Sequence, residues 1–465
     1  MINPKVFKAY DIRGIYPDEI DEEGFKDIIK SIFSLFVSKL GKTNLKIILG
    51  HDLRLGSPRL YQVAKNTLVD MGAEVYTIGL STTPTSYFSC IYYKTDAGIQ
   101  VTASHNPKEY VGTKFFFRNG NKIVKISKNT GMTDVHDMAI NKKFVTTSSR
   151  GKIINKPTAL EDDINYHWKI VHPTLKKSFK IVADPANSTS VIYLEKLFKK
   201  IPGKLIKINF NMDPSFPAHQ PDPLDFNNLL ELRNVVKKEK ADLGISPDGD
   251  GDRIFFVDEN GAVIPATMIS SLITKEILKK NPKAKIILDI RYIKNVKSVC
   301  DKVGAKYSIS QVGHALITEQ LNREKADFAG ESSGHFYFKE TGGAESAIRV
   351  LLMVLDVMNR DKRPISKILA DLHSYYESGE FNFILKGKLT GKQIQEHIAK
   401  EYTDGESSWL DGISVDYPDW RFNIRSSNTE PLLRLNVETK SEQLTQTKLK
   451  ELSDKITALG GQPKS

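Results

Sequence analysis

Two cysteines, Cys90 and Cys300, are all the thiol chemistry that this chain of 465 residues offers. A single pair cannot build a disulfide framework, and neither cysteine stands in a metal-ligand spacing. A reducing compartment fits such a chain. Long apolar runs are missing as well: no stretch is long enough to span a bilayer, and residues 1–8 carry no apolar signal core. The expectation is a soluble, cytoplasmic protein with no membrane partner. Low-complexity linkers are absent too, so the domains are expected to share packed interfaces. Nor is there a concentrated basic tract. The formal net charge is +11, a surplus that a nucleic-acid binder would use against phosphates. The lysines are instead scattered, as in Lys176-Lys177, Lys199-Lys200, Lys237-Lys238 and Lys279-Lys280, with no interleaved aromatics. They read as a solvated surface that favours the arrival of anionic small molecules. No nucleic-acid partner is expected, and nothing in the sequence sets the oligomeric state.

What is present is the composition of a globular protein, 40% hydrophobic and 26% charged, at a length that calls for several domains. Apolar runs alternate with amphipathic stretches, the mark of α/β layering. The first region reads as strand 45–49, helix 57–71 and strands 74–78 and 98–102. The second reads as strand 180–183, helix 191–200, strand 204–210, helix 227–240 and strand 242–246. The third has strand 285–290, helix 296–303, strand 306–311, a helix through Arg323 and strand 327–329. A long helical stretch 344–359 and a helix 364–376 follow. A smaller α+β region comes next, with helix 391–401, strands between 413 and 437, helix 442–459, and a tail 460–465 expected to fray.

Three strands share a weak similarity: Asp96-Ala97-Gly98-Ile99, Ala241-Asp242-Leu243-Gly244 and Ala326-Asp327-Phe328-Ala329. Each runs into a polar loop, and ligands in open α/β sheets bind beyond the carboxyl ends of strands. In Asp248-Gly249-Asp250-Gly251-Asp252-Arg253, three carboxylates on alternate residues repel unless they share a hard cation. Glu259 stands at the twelfth position of an EF-hand pattern, but Arg253 occupies the place of its obligatory glycine and the flanks look like strands. Three carboxylates with substrate phosphates suit Mg²⁺ better than a calcium cage. Thr102-Ala103-Ser104-His105-Asn106-Pro107 reads equally as a nucleophile loop and as a turn capped by Ser104 and Asn106, and no Gly-x-Ser-x-Gly elbow surrounds the serine. Lys114 supplies a cation ten positions on. Gly330-Glu331-Ser332-Ser333-Gly334-His335 offers groups that match vicinal hydroxyls, or a hydrogen-bonded turn. Arg425-Ser426-Ser427-Asn428-Thr429-Glu430-Pro431 suits a phosphate dianion, or an ordinary Asn/Ser turn.

This set of loops, in this order, resembles the α-D-phosphohexomutase superfamily, and within it the phosphomannomutase/phosphoglucomutase branch. The opening Phe7-Lys8-Ala9-Tyr10-Asp11-Ile12-Arg13-Gly14 and Pro221-Asp222-Pro223 are similar to that branch too. The resemblance covers essentially the whole chain. It implies an α/β fold of four domains around a central cleft, three similar α/β units with mixed sheets sandwiched by helices and a smaller C-terminal α+β domain. The expected domains are 1–152, 153–256, 257–373 and 374–465. By resemblance, Ser104 is the phosphorylated serine, and Asp248, Asp250 and Asp252 hold Mg²⁺ together with the phosphate on Ser104. Arg253 lies beside that loop. Glu331 and Ser333 bind sugar hydroxyls with His335 nearby, and Arg425, Ser427, Asn428 and Thr429 grip the phosphate that does not react. Tyr10, Arg13, His105, Lys114 and His314 take contact or proton-transfer roles. The implied partner is a small phosphosugar, and the implied activator is a hexose 1,6-bisphosphate.

Four positions depart from the family pattern: Val111 for asparagine, Arg291 for lysine, Thr318 for a frequent lysine, and Asp184-Pro185-Ala186-Asn187-Ser188 for a glycine-rich turn. Arg291 keeps the charge and changes its geometry. A phosphoglucosamine mutase is the alternative within the family. Asn428 stands where that branch carries glycine, and Glu331-Ser332-Ser333 lacks its central glutamine.

Overall fold

The computed structural model describes residues 2–147, 149–427 and 432–464. Four β-sheets organise them into four units. In the first sheet, Lys46–His51, Glu74–Leu80 and Ala97–Val101 run parallel, with helices Ser57–Asp70 and Thr83–Tyr92 carrying the chain back between them. Tyr110–Asn119 then returns antiparallel to Ala97–Val101. The second unit repeats the plan with Phe179–Ala183, Gly203–Lys207, Leu243–Pro247 and the returning Ile254–Val257. The third repeats it with Ile286–Asp289, Tyr307–Ser310, Phe328–Gly330 and Phe336–Phe338. Numbered within each unit, the four strands lie in one spatial order, fourth, third, first, second. The similarity read at residues 96–99, 241–244 and 326–329 therefore marks a single place in a repeated topology. It is the third strand, where parallel pairing gives way to antiparallel.

Those strands are apolar because they are covered on both faces: Ala97–Val101 and Leu243–Pro247 are buried throughout. Helix Glu22–Leu40 turns Phe25, Ile28, Ile29, Ile32 and Phe36 onto the first sheet at helical spacing. Asp21 caps its start by accepting from the Gly24 N–H at 2.7 Å. Helix Ala159–Val171 packs against Ala347–Asp361, so the second and third units share one apolar core. The fourth unit has its own.

In that fourth unit, Trp420–Ser426 and Leu432–Thr439 form the middle of an antiparallel sheet. Phe422, Ile424, Leu433, Leu435 and Val437 point to the core, as period-2 alternation requires. The intervening Arg421, Asn423, Arg425, Asn436 and Glu438 are buried as well. This polar face meets the third unit: Glu438 accepts the Ile293 and Lys294 N–H groups at 2.8 Å, and Asn436 donates to the Tyr292 hydroxyl at 2.8 Å.

Several expectations need correction. The described part of the tail, residues 460–464, does not simply fray: Gly461–Pro463 pairs antiparallel with Phe381–Leu385, because that edge strand has unpaired backbone groups to offer. Ala344–Glu345 is a strand, and the helix begins only at Ala347, where the Ser346 hydroxyl caps it. Helix 364–376 shrinks to Ile365–Ala370, and Tyr376–Glu377 joins the fourth sheet. The boundaries set at 152/153 and 256/257 both cut strands, since Lys152–Asn155 belongs to the first sheet and Ile254–Val257 with Val263–Ile264 to the second. No helix among the described residues is long and apolar enough to cross a membrane.

Candidate active site

The loops that leave the third strands of the first and second units meet. Ser104 follows Ala97–Val101 with a left-handed backbone, φ 52°, and its N–H donates to the Thr102 hydroxyl at 2.9 Å. Its Oγ donates to Asp248 Oδ2 at 2.9 Å and lies 3.2 Å from His105 Nδ1. Gly249 makes this approach possible: a Cβ there would come within 2.3 Å of the Ser104 carbonyl oxygen.

Asp248, Asp250 and Asp252 are buried and present oxygens within 4.8 Å of one another. Lys114, on the returning strand Tyr110–Asn119, spans two of them, donating to Asp250 Oδ2 at 2.8 Å and Asp252 Oδ2 at 2.6 Å. Burial alone would lower its pKa, but these two carboxylates raise it. Thr83 and Thr102 also donate to Asp250 Oδ2. Burial, followed by its two acidic neighbours, holds Asp248 well above the usual carboxylate range. Asp250 Oδ1 is buried without a hydrogen-bond partner among the described residues, and Asp252 Oδ1 meets a His335 ring nitrogen at 3.3 Å. Hard anionic oxygens, mutual repulsion and the unsatisfied Asp250 oxygen together fit a small divalent cation.

The third unit brings the Glu331 loop to the same place. Glu331 is buried, accepting from Arg291 Nη2 at 2.9 Å and from the Tyr337 hydroxyl at 2.7 Å. Although burial would raise its pKa, His335 and Arg291 pull it below the usual carboxylate range. His335 Nε2 lies 3.3 Å from Asp252 Oδ1, which ties this loop to the acidic one, and Ser333 Oγ lies 2.9 Å from His335 Nδ1. Burial opposes protonation of His335, yet Asp252 and Glu331 raise its pKa to about 9. Arg291 uses its fork twice, on Asp289 and on Glu331, which a lysine could not do with planar geometry. Arg253 Nε approaches His335 Nε2 at 3.5 Å, and its Nη1 approaches Asp222 at 3.5 Å.

Arg13 donates to Asp11 and to the Asn106 side chain, so it flanks the serine loop. Tyr10 meets His314 edge-on at 5.4 Å, and His314 faces His335 with ring centroids 6.5 Å apart. His314 opens helix His314–Glu324 after Gly313, whose φ of 138° few other residues adopt. Burial, then Lys125 and Lys114, holds His314 well below its ordinary pKa. From the fourth unit, Arg425 is buried and donates to Glu380 at 2.8 Å, and Arg291 is close enough to disfavour its charge. The Ser427 N–H donates to the Leu432 carbonyl. Asn428 and Thr429 lie outside the described residues. Among the departures, Val111 fills the first unit's core, and Thr318 is buried with no hydrogen-bond partner for its hydroxyl among the described residues.

Sequence reading passed over the supports. An aspartate follows or ends each first strand, Asp52, Asp184 or Asp289, and its Oδ1 accepts the N–H two residues on, at 3.1, 3.0 and 3.0 Å. Arg54 follows the first of these and, fully buried, donates to the carbonyls of Ser104, Asn106, Pro107 and Tyr110. It is the backbone clamp of the serine loop. The repeated aspartate at a strand end was the available signal.

Four domain families match the chain in order. They are phosphoglucomutase/phosphomannomutase alpha/beta/alpha domain I over residues 4–130, domain II over 163–261, domain III over 265–376 and the C-terminal domain over 380–455. A phosphomannomutase of Methanocaldococcus jannaschii is 37% identical over 98% of this chain and 98% of its own. One of Vibrio cholerae is 36% identical over 97% and 98%. A crystal structure of a phosphoglucomutase/phosphomannomutase family protein from Burkholderia thailandensis superposes with a TM-score of 0.88 at 26% identity, over 100% of both chains. With four domain families in order and similarity along its full length, the chain belongs to the phosphoglucomutase/phosphomannomutase family.

Proposed function

We propose that this protein is a phosphomannomutase/phosphoglucomutase that interconverts hexose 6-phosphates and hexose 1-phosphates with Ser104 as phosphoryl carrier. The observation that carries this reading is the meeting of Ser104 Oγ with Asp248 at 2.9 Å, beside an ammonium spanning Asp250 and Asp252. A serine hydroxyl beside carboxylates that could hold a cation is what phosphoryl transfer needs, and this supports the reading. Full-length relatives bearing the name phosphomannomutase support it.

In this reading Asp248, Asp250, Asp252 and the phosphate on Ser104 would hold Mg²⁺, which when bound neutralises charge on the phosphoryl oxygens. Lys114 stabilises the same charge from the side. Glu331 and Ser333 take the sugar's vicinal hydroxyls, with Arg291, Tyr337 and His335 fixing the carboxylate. Arg425 and Ser427, with Asn428 and Thr429, hold the phosphate that is not transferred, while Arg13 and Arg253 line the approach. His314, held neutral, accepts the proton of the attacking hydroxyl, and cationic His335 faces the developing negative charge. His105 orients Ser104, and Tyr10 orients His314. The phosphoryl group passes from Ser104 to the sugar, giving a hexose 1,6-bisphosphate. That bisphosphate turns over in the cleft and returns its other phosphate to the serine. Free hexose 1,6-bisphosphate would therefore act as activator by rephosphorylating Ser104.

The test is a coupled mutase assay on mannose, glucose and glucosamine 1-phosphates with Mg²⁺ and a trace of glucose 1,6-bisphosphate. The expected outcome is turnover of the first two, lowered more than about a thousandfold in Ser104→Ala. Turnover of glucosamine 1-phosphate alone would move the assignment to a phosphoglucosamine mutase. Activity on none of them would overturn the reading.

A further inference from the structure

A buried ion pair between the first and third units enters the steps above only through the repulsion by which Lys125 helps keep His314 neutral. Lys125 ends strand Lys122–Lys125, and Glu345 ends strand Ala344–Glu345. Each side chain is 1% exposed, and Lys125 Nζ donates to Glu345 Oε1. The same ammonium lies 4.8 Å from the ring centre of Tyr87 and 5.1 Å from that of Tyr337. Tyr337 donates its hydroxyl to Glu331 and stacks on His335 at 6.2 Å. Glu345 lies beside the same group: it, His335 and Asp252 each offer an atom within 4.8 Å of the others, and its Oε2 is buried without a hydrogen-bond partner among the described residues. One cation from the first unit, with its counter-ion in the third, thus backs both Tyr337 and His335.

We propose that Lys125 and Glu345 are positioning residues: they fix Tyr337 and His335, and through them Glu331, at the distance from Ser104 that transfer requires. This rests on the mutase reading above. A buried pair of this kind is a poor source of stability, because well-packed apolar residues often hold an interface as tightly or more so. What an apolar pair lacks is a charge that orients two ring faces and a carboxylate. Sub-ångström placement of binding groups depends on such supports.

The experiment compares wild type with Lys125→Met, Glu345→Gln, the double variant Lys125→Met/Glu345→Met, and Lys125→Arg, reading Tm together with KM and kcat for hexose 1-phosphate. Each single variant isolates a buried charge or an unmet partner, so Tm and activity should both fall. In the double variant Tm should return to within a few degrees of wild type, while kcat/KM stays about tenfold low, chiefly through KM. A double variant that regains wild-type KM and kcat along with its Tm would overturn the proposal and leave the pair a structural one. Should neither methionine variant fold, Lys125→Arg keeps the charge and changes its shape. At unchanged Tm it should raise KM about fivefold, and a wild-type KM there would overturn the proposal equally. Inactivity of the wild-type protein on every phosphosugar would instead sink the underlying mutase reading, and this inference with it.

Discussion

At Gly249 the available space is set by one atom, the Ser104 carbonyl oxygen, 2.3 Å from where a Cβ would stand. Gly249→Ala must therefore push the serine loop and the acidic loop apart. A loss of about 1–3 kcal/mol in stability is expected, as for overpacking elsewhere, with a larger proportional loss of turnover. Thermal unfolding and the mutase assay check this, and wild-type values in both would mean that the contact is not rigid. Lys114 is the second residue whose removal should be diagnostic. Lys114→Met leaves Asp250 and Asp252 buried without their counter-charge, at a cost of about 3–5 kcal/mol when divalent ions are chelated. Added Mg²⁺ should restore part of that stability but not turnover, which falls more than about a hundredfold. Chemical denaturation with EDTA and with Mg²⁺ reads this directly, and indifference to Mg²⁺ would remove the cation from the account. At this scale the loops were legible because each is contiguous: three aspartates on alternate residues need no fold to be noticed. Arg54 and Lys125 were not, because their partners lie 50 and 220 positions away and the side chains carry no pattern of their own.

The polar face of the fourth sheet is the element on which pH should act. Burial pushes the Glu438 carboxyl up to about 7, against the opposing pull of Arg421 and of the Ile293 and Lys294 N–H groups. The native state then holds this proton more tightly than the unfolded chain, where 4.5 is the ordinary value. The stabilisation is full below about pH 4.5 and is lost as pH rises through about 7. The whole window corresponds to roughly 3 kcal/mol. Thermal midpoints between pH 4.5 and 7.5 should decline more steeply in wild type than in Glu438→Gln. Parallel curves would show that the carboxyl is already ionised across that range. Alternation in these strands was readable, but the burial of their polar side was not, since period 2 gives two faces without saying what covers the second. The helix expected over residues 344–359 failed for a related reason: Ala344 and Glu345 are good helix formers, and the returning strand of the third sheet recruited them first.

Across the molecule, the second and third units share one core while the fourth keeps its own. The fourth unit holds the third through hydrogen bonds that include Gln311 Nε2 to the Leu410 carbonyl at 2.5 Å and the Val312 N–H to Asp411 at 2.9 Å. Such an interface can part without exposing a hydrophobic core, and a bisphosphate that turns over needs room. Gln311→Cys with Leu410→Cys, oxidised, should therefore suppress turnover at least about tenfold and release it on reduction. The two native cysteines are buried and should not interfere. Full activity of the oxidised protein would argue against domain rotation.

The α/β layering, the repetition of three units, the order of the loops and the chemistry each loop can offer are all written in the linear chain. These follow from local periodicity and from residues adjacent in the chain. Packing in three dimensions was needed to reveal that the repeat is one strand order used three times, that Ser104 meets Asp248, that His335 reaches Asp252, and that the polar side of the last sheet is an interface. Each of those depends on which surfaces of separate elements are brought into contact. Burial then holds His314 neutral, while charged neighbours that packing brings together outweigh burial at Lys114, Glu331 and His335.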